Sequence, residues 1–495
     1  MELTSWLVAL VVVIATLYWL LKKPKHLPPS PGLALPIVGH LYLLERDPRQ
    51  QFKKWSQKLG DVFSLKLGQE TIVVLNSFEV IKEAFVKHGD SISDRPTTSF
   101  LARNVQHMTK GVVRSSGAYW KEQRSVSLSI LRGFGMGKNI LAEKITEEVA
   151  AFVKELAKGD GRAFKAMQFR SLINVSISNV ICSIIFGKRF EFDDPKIQHL
   201  TSMLNDIAHL TSGVSKLNFL PCFKYLPKYK LNADKLISET IELREFATKM
   251  VNEIRKNYDP NNLDNYILAY VNEMEKKQNS EEPTNLSDIS LIRNIENLFL
   301  AGTETTSTTI LWSLYFVLKN PEIQTKLYQE IKEKIGTDRQ PNISDKARLK
   351  YLNAFIMETQ RVGSLVPFAL NHVCSQDTVL NGFTIPKGAQ VIPNVEAVLK
   401  DEKIWGDPEN FRPERFIDEQ GSLLTREELI PFSIGRRICL GESLAKMELF
   451  LFLSSMFQKF EFLPADPNFK PSEKDVFGGV VSPVPFAVKC VERSH

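Results

Sequence analysis

A short run near the C-terminal end carries the residues best suited to chemistry. It covers residues 431–442, reads PFSIGRRICLGE, and places Cys439 between two glycines. Residues 443–460 are apolar on nearly every face and predict a buried helix, so Cys439 lies just before a helix N-terminus. The partial positive charge there, with Arg436 and Arg437 nearby, favours a thiolate over a thiol. A thiolate held by a glycine-rich loop beside arginines suits an axial ligand of haem iron.

Two other roles for Cys439 are less favoured. A free cysteine is most often a small buried hydrophobic residue, but the flanking glycines, arginines and helix favour a ligand here. A zinc site needs further Cys or His ligands at short spacing, and none lies at that distance from Cys439. The five cysteines are odd in number and far apart, which argues against a disulfide framework and for a reducing compartment.

The longest predicted helix has a weakened, hydroxyl-rich centre. It covers residues 287–319, and an Asn-Pro pair ends it. Residues 301–309 read AGTETTSTT, and glycine and β-branched hydroxyl residues are poor helix formers. Their hydroxyls can bond back to the preceding turn and bend the helix. The pattern fits two structures equally well. One is a helix with a solvated face, and the other is a kink beside a site where Glu304 and Thr305 guide protons.

The elements that must position these residues are mostly helices. A hairpin of two short strands is predicted over residues 61–76. Helices are predicted over residues 78–88, 119–131, 139–157, 163–186, 233–258, 263–277 and 349–362, and weak strands over 378–383, 390–395 and 480–488. The charged stretch 273–288 is predicted to be an exposed loop. The sequence therefore predicts a mainly α fold with a small β region.

The N-terminal segment differs from the rest of the chain. Residues 3–21 are apolar and uncharged, close to the ~20 residues that span a bilayer. Trp6 and Trp19 stand where interfacial aromatic residues are found. The length of the apolar run, and the lack of a positive start and of a cleavage site, favour an uncleaved anchor over a signal peptide. Three lysines follow the apolar run and place the remaining chain in the cytosol by the positive-inside rule: Lys22, Lys23 and Lys25.

Clustered prolines follow this segment and predict a stiff, extended connection. The chain is thereby divided into a transmembrane anchor, 1–21, a basic and proline-rich hinge, 22–45, and a main body, 46–495. The hinge is either a plain linker or a spacer that orients the body on the membrane, and both interpretations stay open. The net charge of +6 is mild for 495 residues, so no nucleic-acid partner is expected.

Four motifs, in their order and separations, resemble the cytochrome P-450 superfamily of haem-thiolate monooxygenases. The cysteine signature of that family, Phe-x-x-Gly-x-Arg-x-Cys-x-Gly, is matched by Phe432, Gly435, Arg437, Cys439 and Gly441. The oxygen-activation motif of the family is matched by residues 301–306. Its Glu-x-x-Arg motif is matched by Glu358 and Arg361, and Arg415 would complete that structural triad. Its Trp-x-x-x-Arg motif is matched by Trp120 and Arg124. The cysteine signature is highly specific, whereas the two short motifs mean little alone. The anchor and hinge look like the microsomal animal branch of the family.

The resemblance implies a role for each site residue. Cys439 would be the proximal ligand of the iron in haem b. Trp120, Arg124, His372 and Arg437 would hold the haem propionates, with Arg95 a weaker candidate, because buried carboxylates need cations or donors. For His372 a purely structural role is about equally favoured. Thr305 would hydrogen-bond dioxygen, and Glu304 would relay protons to it.

The resemblance also implies the reaction and its partners. One atom of dioxygen would be inserted into a lipophilic small molecule: a steroid, a fatty acid or a xenobiotic. Electrons would come from a membrane-bound NADPH-dependent flavoprotein reductase, with cytochrome b5 a further candidate partner. The body, 46–495, would be the haem-binding catalytic domain on the cytosolic face of the endoplasmic reticulum membrane. Candidate contacts for the reductase are Lys121, Arg132, Arg436 and Lys446, although a solvated surface is the commoner role of each such charge.

The substrate-contacting segments of the family would fall over residues 100–113, 200–219, 297–305, 365–370 and 477–481. Eight residues in them predict a mainly apolar cavity, which favours a lipophilic substrate: Phe100, Leu101, Phe299, Ala301, Leu365, Val366, Phe368 and Phe477. This composition does not choose among steroid, fatty acid and xenobiotic.

Two other functions stay open at this point. A reductase-independent isomerase or dehydratase would use the same thiolate-ligated haem, but such relatives often lose the acid–alcohol pair that Glu304 and Thr305 form here. A haem-based gas sensor would need an output module, and the motifs fill the chain. Absence of activity with the reductase and NADPH would favour one of these alternatives.

Overall fold

The computed structural model describes residues 2–21, 26–135, 139–159, 161–466, 468 and 472–493. Helices make up most of the described chain, as predicted. They are α1 Glu2–Leu21, α2 Arg49–Leu59, α3 Phe78–Lys82, α4 Phe100–Asn104, α5 Gly117–Gly133, α6 Asn139–Ala157, α7 Ala166–Ile185, α8 Pro195–Gly213, α9 Pro227–Arg255, α10 Tyr266–Asn279, α11 Asp288–Lys319, α12 Pro321–Lys334, α13 Lys350–Gly363, α14 Val395–Leu399, α15 Glu402–Trp405 and α16 Glu442–Lys459.

The strands form small sheets beside the helices. They are β1 Val62–Leu67, β2 Glu70–Leu75, β3 Ala163–Phe164, β4 His372–Val373, β5 Thr378–Leu380, β6 Phe383–Ile385, β7 Gln390–Pro393, β8 Phe460–Pro464, β9 Asp475–Val476, β10 Ser482–Pro483 and β11 Val488–Glu492. The largest sheet has the order β1-β2-β7-β4, in which the predicted β1–β2 hairpin pairs Leu67 with Glu70 at its tip. A second sheet has the order β3-β11-β8, and two further sheets have two strands each.

The helix α11 lies at the centre of the molecule, packed against α7, α9, α13 and α16. Its start is fixed by Ser287, whose hydroxyl accepts from the backbone N–H of Ser290 and whose own N–H is bonded by the Ser290 side chain. This reciprocal arrangement satisfies donors that the first turn of a helix leaves unpaired. Most side chains of its second half are buried, including hydroxyl side chains of the weakened centre.

The sequence-based boundaries of α5, α11, α13 and α16, which carry site residues, are confirmed to within two residues, whereas those of several other elements are wrong. The helix predicted over residues 139–157 has these bounds, and α16 begins one residue before the prediction. Residues 163–164 form β3 instead of the start of a helix, and α8 was not predicted. The stretch 273–288, predicted as a loop, is helical as far as Asn279. The helix predicted over 78–88 changes to a π-helical turn at Glu83–Lys87.

The apolar N-terminal segment forms α1, whose described side chains at positions 4–15 are exposed, with Trp6 at 75%. Among the residues that could be searched, only α7 is both long and apolar enough to cross a membrane, and 72% of that stretch is buried inside the protein. The helix α7 is therefore a core helix, whereas α1 supplies a shorter apolar stretch, Thr4–Ala15. The lysines predicted to follow the anchor lie outside the described residues.

Candidate functional site

The loop before α16 is folded so that the Cys439 side chain precedes the first turn of the helix. Gly441 is the N-cap residue of α16, and the backbone N–H of Cys439 donates to the Phe432 carbonyl at 3.0 Å. Gly435 has φ 79°, and a Cβ added there would lie 2.1 Å from the Phe85 carbonyl oxygen. Only glycine fits such a conformation at such a close approach. The loop is thus locked against the π-helical turn that contains Phe85.

The Cys439 thiol is enclosed by protein and yet accessible to solvent. Burial raises its pKa above the ordinary value, although the backbone N–H groups of Gly441 and Glu442 and the charge of Arg124 act in the opposite direction. The helix N-terminus and Arg124 thus favour a thiolate as expected, but desolvation of the thiol outweighs them. An iron ligand does not need that help, because a coordinating thiol is deprotonated by the metal.

A cleft of about 40 Å³ separates the Cys439 loop from α11. Thr305, Thr306 and Thr309 line it from α11, and Pro431 and Phe432 line it from the loop. Ala301, one turn before Thr305, is exposed even though it lies near the middle of a largely buried helix. The hydroxyl-rich centre of α11 and the loop that contains Cys439 thus face a common space.

The hydroxyl-rich centre of α11 behaves as its composition predicts. Thr305 donates to the Ala301 carbonyl at 2.6 Å, Ser307 to the Thr303 carbonyl at 2.7 Å, and Thr309 to the Thr305 carbonyl at 2.8 Å. These bonds satisfy the hydroxyls within the helix, which continues without a break to Lys319. Thr305 is the member of this series that is only partly buried and lines the cleft.

Glu304 points to a different face of α11 from Thr305. Its carboxylate forms an ion pair with Arg170 of α7 and accepts from the Thr308 hydroxyl at 3.3 Å. The Glu304 side chain is 8% exposed and the Arg170 side chain 14%. The pair therefore connects the centre of α11 to the partly accessible surface of α7. Sequence reasoning did not find Arg170, because nothing in the spacing of the two residues links them.

Three of the predicted haem-binding residues lie together beside the Cys439 loop. The guanidinium of Arg437 stacks 3.7 Å from the ring centroid of Trp120 and donates to the carbonyls of Ser93 at 2.8 Å and Ser115 at 2.6 Å. Arg124, one turn after Trp120 on α5, donates to the Ile438 carbonyl at 2.7 Å. The Trp-x-x-x-Arg spacing thus brings the two side chains to the two residues before Cys439, Trp120 to Arg437 and Arg124 to Ile438.

The same region concentrates buried positive charge. Burial and the repulsion of Arg95 lower the pKa of Arg437 to about 8, and burial with the repulsion of Arg114 and Arg124 lowers that of Arg95 to about 9. Within the described chain no carboxylate forms an ion pair with any of these arginines. The indole N–H of Trp120 and the Nε of Arg95 are buried without a described partner. Unpaired buried cations and donors fit a group that carries two carboxylates, as haem does.

His372 lies in β4, stacked on Phe85 with ring centroids 4.1 Å apart. Burial and the charges of Arg95 and Arg437 lower its pKa well below the ordinary value, against the effect of a 2.7 Å hydrogen bond between Nδ1 and the Ile92 carbonyl. In the neutral ring Nδ1 donates to that carbonyl, so Nε2 has no proton to donate. His372 could then hydrogen-bond a propionate only as an imidazolium, which leaves its structural role equally well supported.

Arg436 does not contribute to the cysteine site as the sequence suggested. Its side chain is exposed and forms an ion pair with Asp90. Its three companions on the proposed reductase-binding face, Lys121, Arg132 and Lys446, are also exposed. Lys446 pairs with Glu442 at 2.7 Å.

The predicted apolar lining is only partly assembled around the cleft. Leu365 lines the cleft and Ala301 is exposed beside it. Phe299 is 1% exposed and packs on Phe186 with centroids 5.4 Å apart, so it belongs to the core. Phe368 packs on Phe52 with centroids 5.1 Å apart, near β1. Phe100 and Leu101 are buried, while Val366 and Phe477 are partly buried; none of these four lines the cleft.

Glu358, Arg361 and Arg415 form the triad that the resemblance implies. Arg361 donates to both carboxylate oxygens of Glu358, at 2.8 and 2.9 Å, and Arg415 donates to Oε1 at 2.9 Å. The side chains of Glu358 and Arg361 are completely buried. Their remaining donors reach backbone carbonyls, including that of Leu399. The triad ties α13 to the loop that leads towards the Cys439 segment.

The comparisons with known proteins agree with this geometry. The family model for cytochrome P450 matches residues 28–490, so the chain belongs to the cytochrome P450 family. It is 37% identical to cytochrome P450 2J5 of Mus musculus over 98% of this chain and 96% of the relative. It is 36% identical to cytochrome P450 2D15 of Canis lupus familiaris over 94% and 92%. A third relative is cytochrome P450 2D6 of Homo sapiens, 37% identical over 94% and 93%.

Membership of this family fixes the class of reaction and the cofactor. The protein is a monooxygenase, an oxidoreductase that incorporates oxygen from dioxygen, and its cofactor is haem with an axial cysteine thiolate. The relatives are animal members of the family, as the N-terminal segment predicted.

Proposed function

We propose that this protein inserts one oxygen atom into a lipophilic small molecule, a steroid, a fatty acid or a xenobiotic, with Cys439 as the axial ligand of haem b. The observation that carries the proposal is the cleft that Thr305 and the Cys439 loop share. Trp120, Arg124 and Arg437 hold the haem propionates, with Arg95 and His372 as further members. Haem bound through a thiolate supplies the activation and cleavage of dioxygen.

The chain's own residues position the reactants and move protons. The Thr305 hydroxyl, which donates to the Ala301 carbonyl in this structure, can turn to donate into the cleft because its side chain lines that space. Glu304 carries protons from the surface near Arg170, its ion-pair partner, to the centre of α11. The apolar residues that line the cleft exclude bulk water from it. Because Glu304 and Thr305 point to different faces, a water molecule or a rotation of a side chain must connect them.

The electrons come from an NADPH-dependent flavoprotein reductase, with cytochrome b5 as a second donor. The exposed cations Lys121, Arg132, Arg436 and Lys446 give the partner a basic surface to bind. The segment 1–21 anchors the protein in the endoplasmic reticulum membrane, the segment 22–45 is the hinge, and the domain 46–495 lies in the cytosol. The exposed apolar side chains of α1 support this arrangement, since such a surface needs a non-aqueous environment.

The test is the carbon monoxide difference spectrum of the dithionite-reduced protein, compared between the wild type and Cys439→Ala. We expect the strongly red-shifted Soret band of thiolate-ligated haem in the wild type and its loss in the variant. Cys222→Ala, which removes an exposed free cysteine, is the matched control and should keep the band. A histidine-type band in the wild type, or a folded protein that takes up no haem, would refute the assignment of Cys439.

A further inference from the structure

A second cavity, larger than the cleft and more polar, is lined by Arg95 of the arginine cluster. Its volume is about 190 Å³. Its lining includes Val113, Asn218, Phe219 and Leu370, which belong to three segments that the family resemblance assigns to substrate contact. Three of the five substrate-contacting segments therefore meet at this cavity, although none of the eight apolar residues predicted to line the substrate site is among its lining residues.

Two arginines face this cavity, and they differ in how they are satisfied. Arg95 donates to the carbonyls of Leu370 at 2.7 Å and Asn371 at 2.8 Å. Arg114 has one described hydrogen bond from its side chain, a long contact of 3.4 Å to the Ser99 hydroxyl. No carboxylate of the described chain lies at ion-pair distance from Arg114. Of the two, Arg114 is the cation with hydrogen-bonding capacity left for a ligand.

The position of Arg114 is costly for the protein unless an anion joins it. Burial lowers the pKa of Arg114, and the charge of Arg114 contributes to lowering that of Arg95. Both side chains keep only part of their surface accessible, on the side of the cavity. A desolvated guanidinium is stabilised by a carboxylate or sulfate, which accepts two parallel bonds from it.

The cavity is also close to the reaction centre. The backbone N–H of Val113, the neighbour of Arg114, donates to the Asn297 side chain of α11 at 3.0 Å. Asn297 precedes Thr305 by eight residues, which corresponds to about 12 Å along a helix. A molecule with its anionic end at Arg114 and an extended apolar body can therefore reach towards the Thr305 region. Val113, Phe219 and Leu370 give the cavity apolar surface for such a body.

We propose that Arg114 anchors the anionic end, a carboxylate or sulfate, of a substrate whose remaining body is apolar. This inference rests on the proposed function and adds its substrate class: amphipathic acids are preferred over neutral molecules of the same size. The residue lies one position beyond the predicted substrate segment 100–113, which is why the sequence alone did not single it out.

The test compares two probes of equal length, dodecanoate and dodecanol, on the haem-loaded full chain at neutral pH. Binding is measured by calorimetry and by the shift of the Soret band. In the wild type we expect dodecanoate to bind more tightly than dodecanol. In Arg114→Gln the affinity for dodecanoate should fall roughly 10- to 100-fold, the range for a lost hydrogen bond to a charged group, while that for dodecanol stays unchanged. Arg114→Lys, which keeps the charge, should recover part of the loss.

The matched control is Lys110→Gln, which removes one positive charge from the same segment, where Lys110 lies over the Tyr119 ring and does not line the cavity. It should leave both affinities unchanged. Equal weakening of both probes in Arg114→Gln would overturn the inference, because it would mean a role in packing. Loss of haem in that variant would overturn it too, because Arg114 would then hold a haem propionate. A wild type with the thiolate-type band but no preference for dodecanoate refutes only this inference, whereas absence of the band refutes the proposed function.

Discussion

Two groups of arginines in the part of the chain that the structure describes are satisfied in opposite ways. In the triad, Arg361 and Arg415 both donate to the carboxylate of Glu358, and every charge has its partner within the fold. In the cluster beside Cys439, burial and mutual repulsion lower the pKa values of Arg95 and Arg437, and described carboxylates do not pair with them. Buried charges that the chain itself neutralises hold the fold together, whereas buried charges left to a ligand mark a binding site.

The largest effect is expected at the triad. Glu358→Ala leaves Arg361 and Arg415 in the interior without a carboxylate, which should lower the free energy of unfolding by about 3–5 kcal/mol. The measurement is urea-induced unfolding of the haem-loaded protein, followed by both tryptophan fluorescence and haem absorbance. Glu414→Ala is the control, because Glu414 forms a surface ion pair with Lys326 and should cost at most about 1 kcal/mol. Equal losses in the two variants would mean that the triad is not the structural element of this comparison.

The same contrast explains what the sequence could and could not predict. Glu358 and Arg361 are three residues apart on α13, and the Cys439 loop lies within a few residues of the helix it precedes, so local spacing was enough to find both. The carbonyls of Ser93 and Ser115 that hold Arg437 are more than 300 residues away in the chain. Their approach depends on how whole elements pack, and no spacing rule encodes it.

The direction in which a side chain points and the extent of its desolvation could not be predicted from the sequence either. The substrate segments were expected to present apolar side chains to one cavity, but Phe299 packs on Phe186 and does not line the cleft. The thiol of Cys439 was expected to ionise easily because its neighbours are favourable, yet burial has the larger effect. A sequence shows which groups are close along the chain, whereas desolvation depends on what the rest of the fold places around them.

Glu448 presents the opposite case to the arginine cluster: a buried carboxyl group that has no ion pair with a described cation. Glu448 on α16 is 1% exposed, accepts from the Thr306 hydroxyl at 3.0 Å, and has a second oxygen without a described partner. Burial raises its pKa to about 8 from an ordinary value of 4.5. Between pH 4.5 and 8 the folded protein therefore keeps the Glu448 carboxyl group protonated, while the unfolded chain releases the proton. The contribution of Glu448 to the free energy of unfolding thus falls as the pH rises through that range.

Glu448→Gln should remove that pH dependence. The variant should match the wild type near pH 5 and be more stable than it near pH 7, by no more than about 1.4 kcal/mol for each pH unit. Urea unfolding at several pH values measures the difference, and Glu419→Gln, at an exposed position in a turn, should leave the dependence unchanged. A parallel pH profile for Glu448→Gln and the wild type would show that Glu448 is ionised in the fold, and so that a cation or water compensates its charge.

In the arginine cluster beside Cys439 we expect the smallest effect on the free energy of unfolding and the largest effect on haem binding. Arg437→Met removes the cation over Trp120 but breaks no ion pair between described residues of the chain, so the unfolding free energy should fall less than in Glu358→Ala. Haem should leave the variant roughly 10- to 100-fold faster, about 1.5–3 kcal/mol, because a charged hydrogen bond to a propionate is lost. Haem transfer to an excess of an acceptor protein measures the rate. Arg436→Met is the control, since the neighbouring Arg436 is exposed and pairs with Asp90. If Arg437→Met destabilised the fold as much as Glu358→Ala while retaining haem, the cluster would be structural and the two arginine groups would not differ in kind.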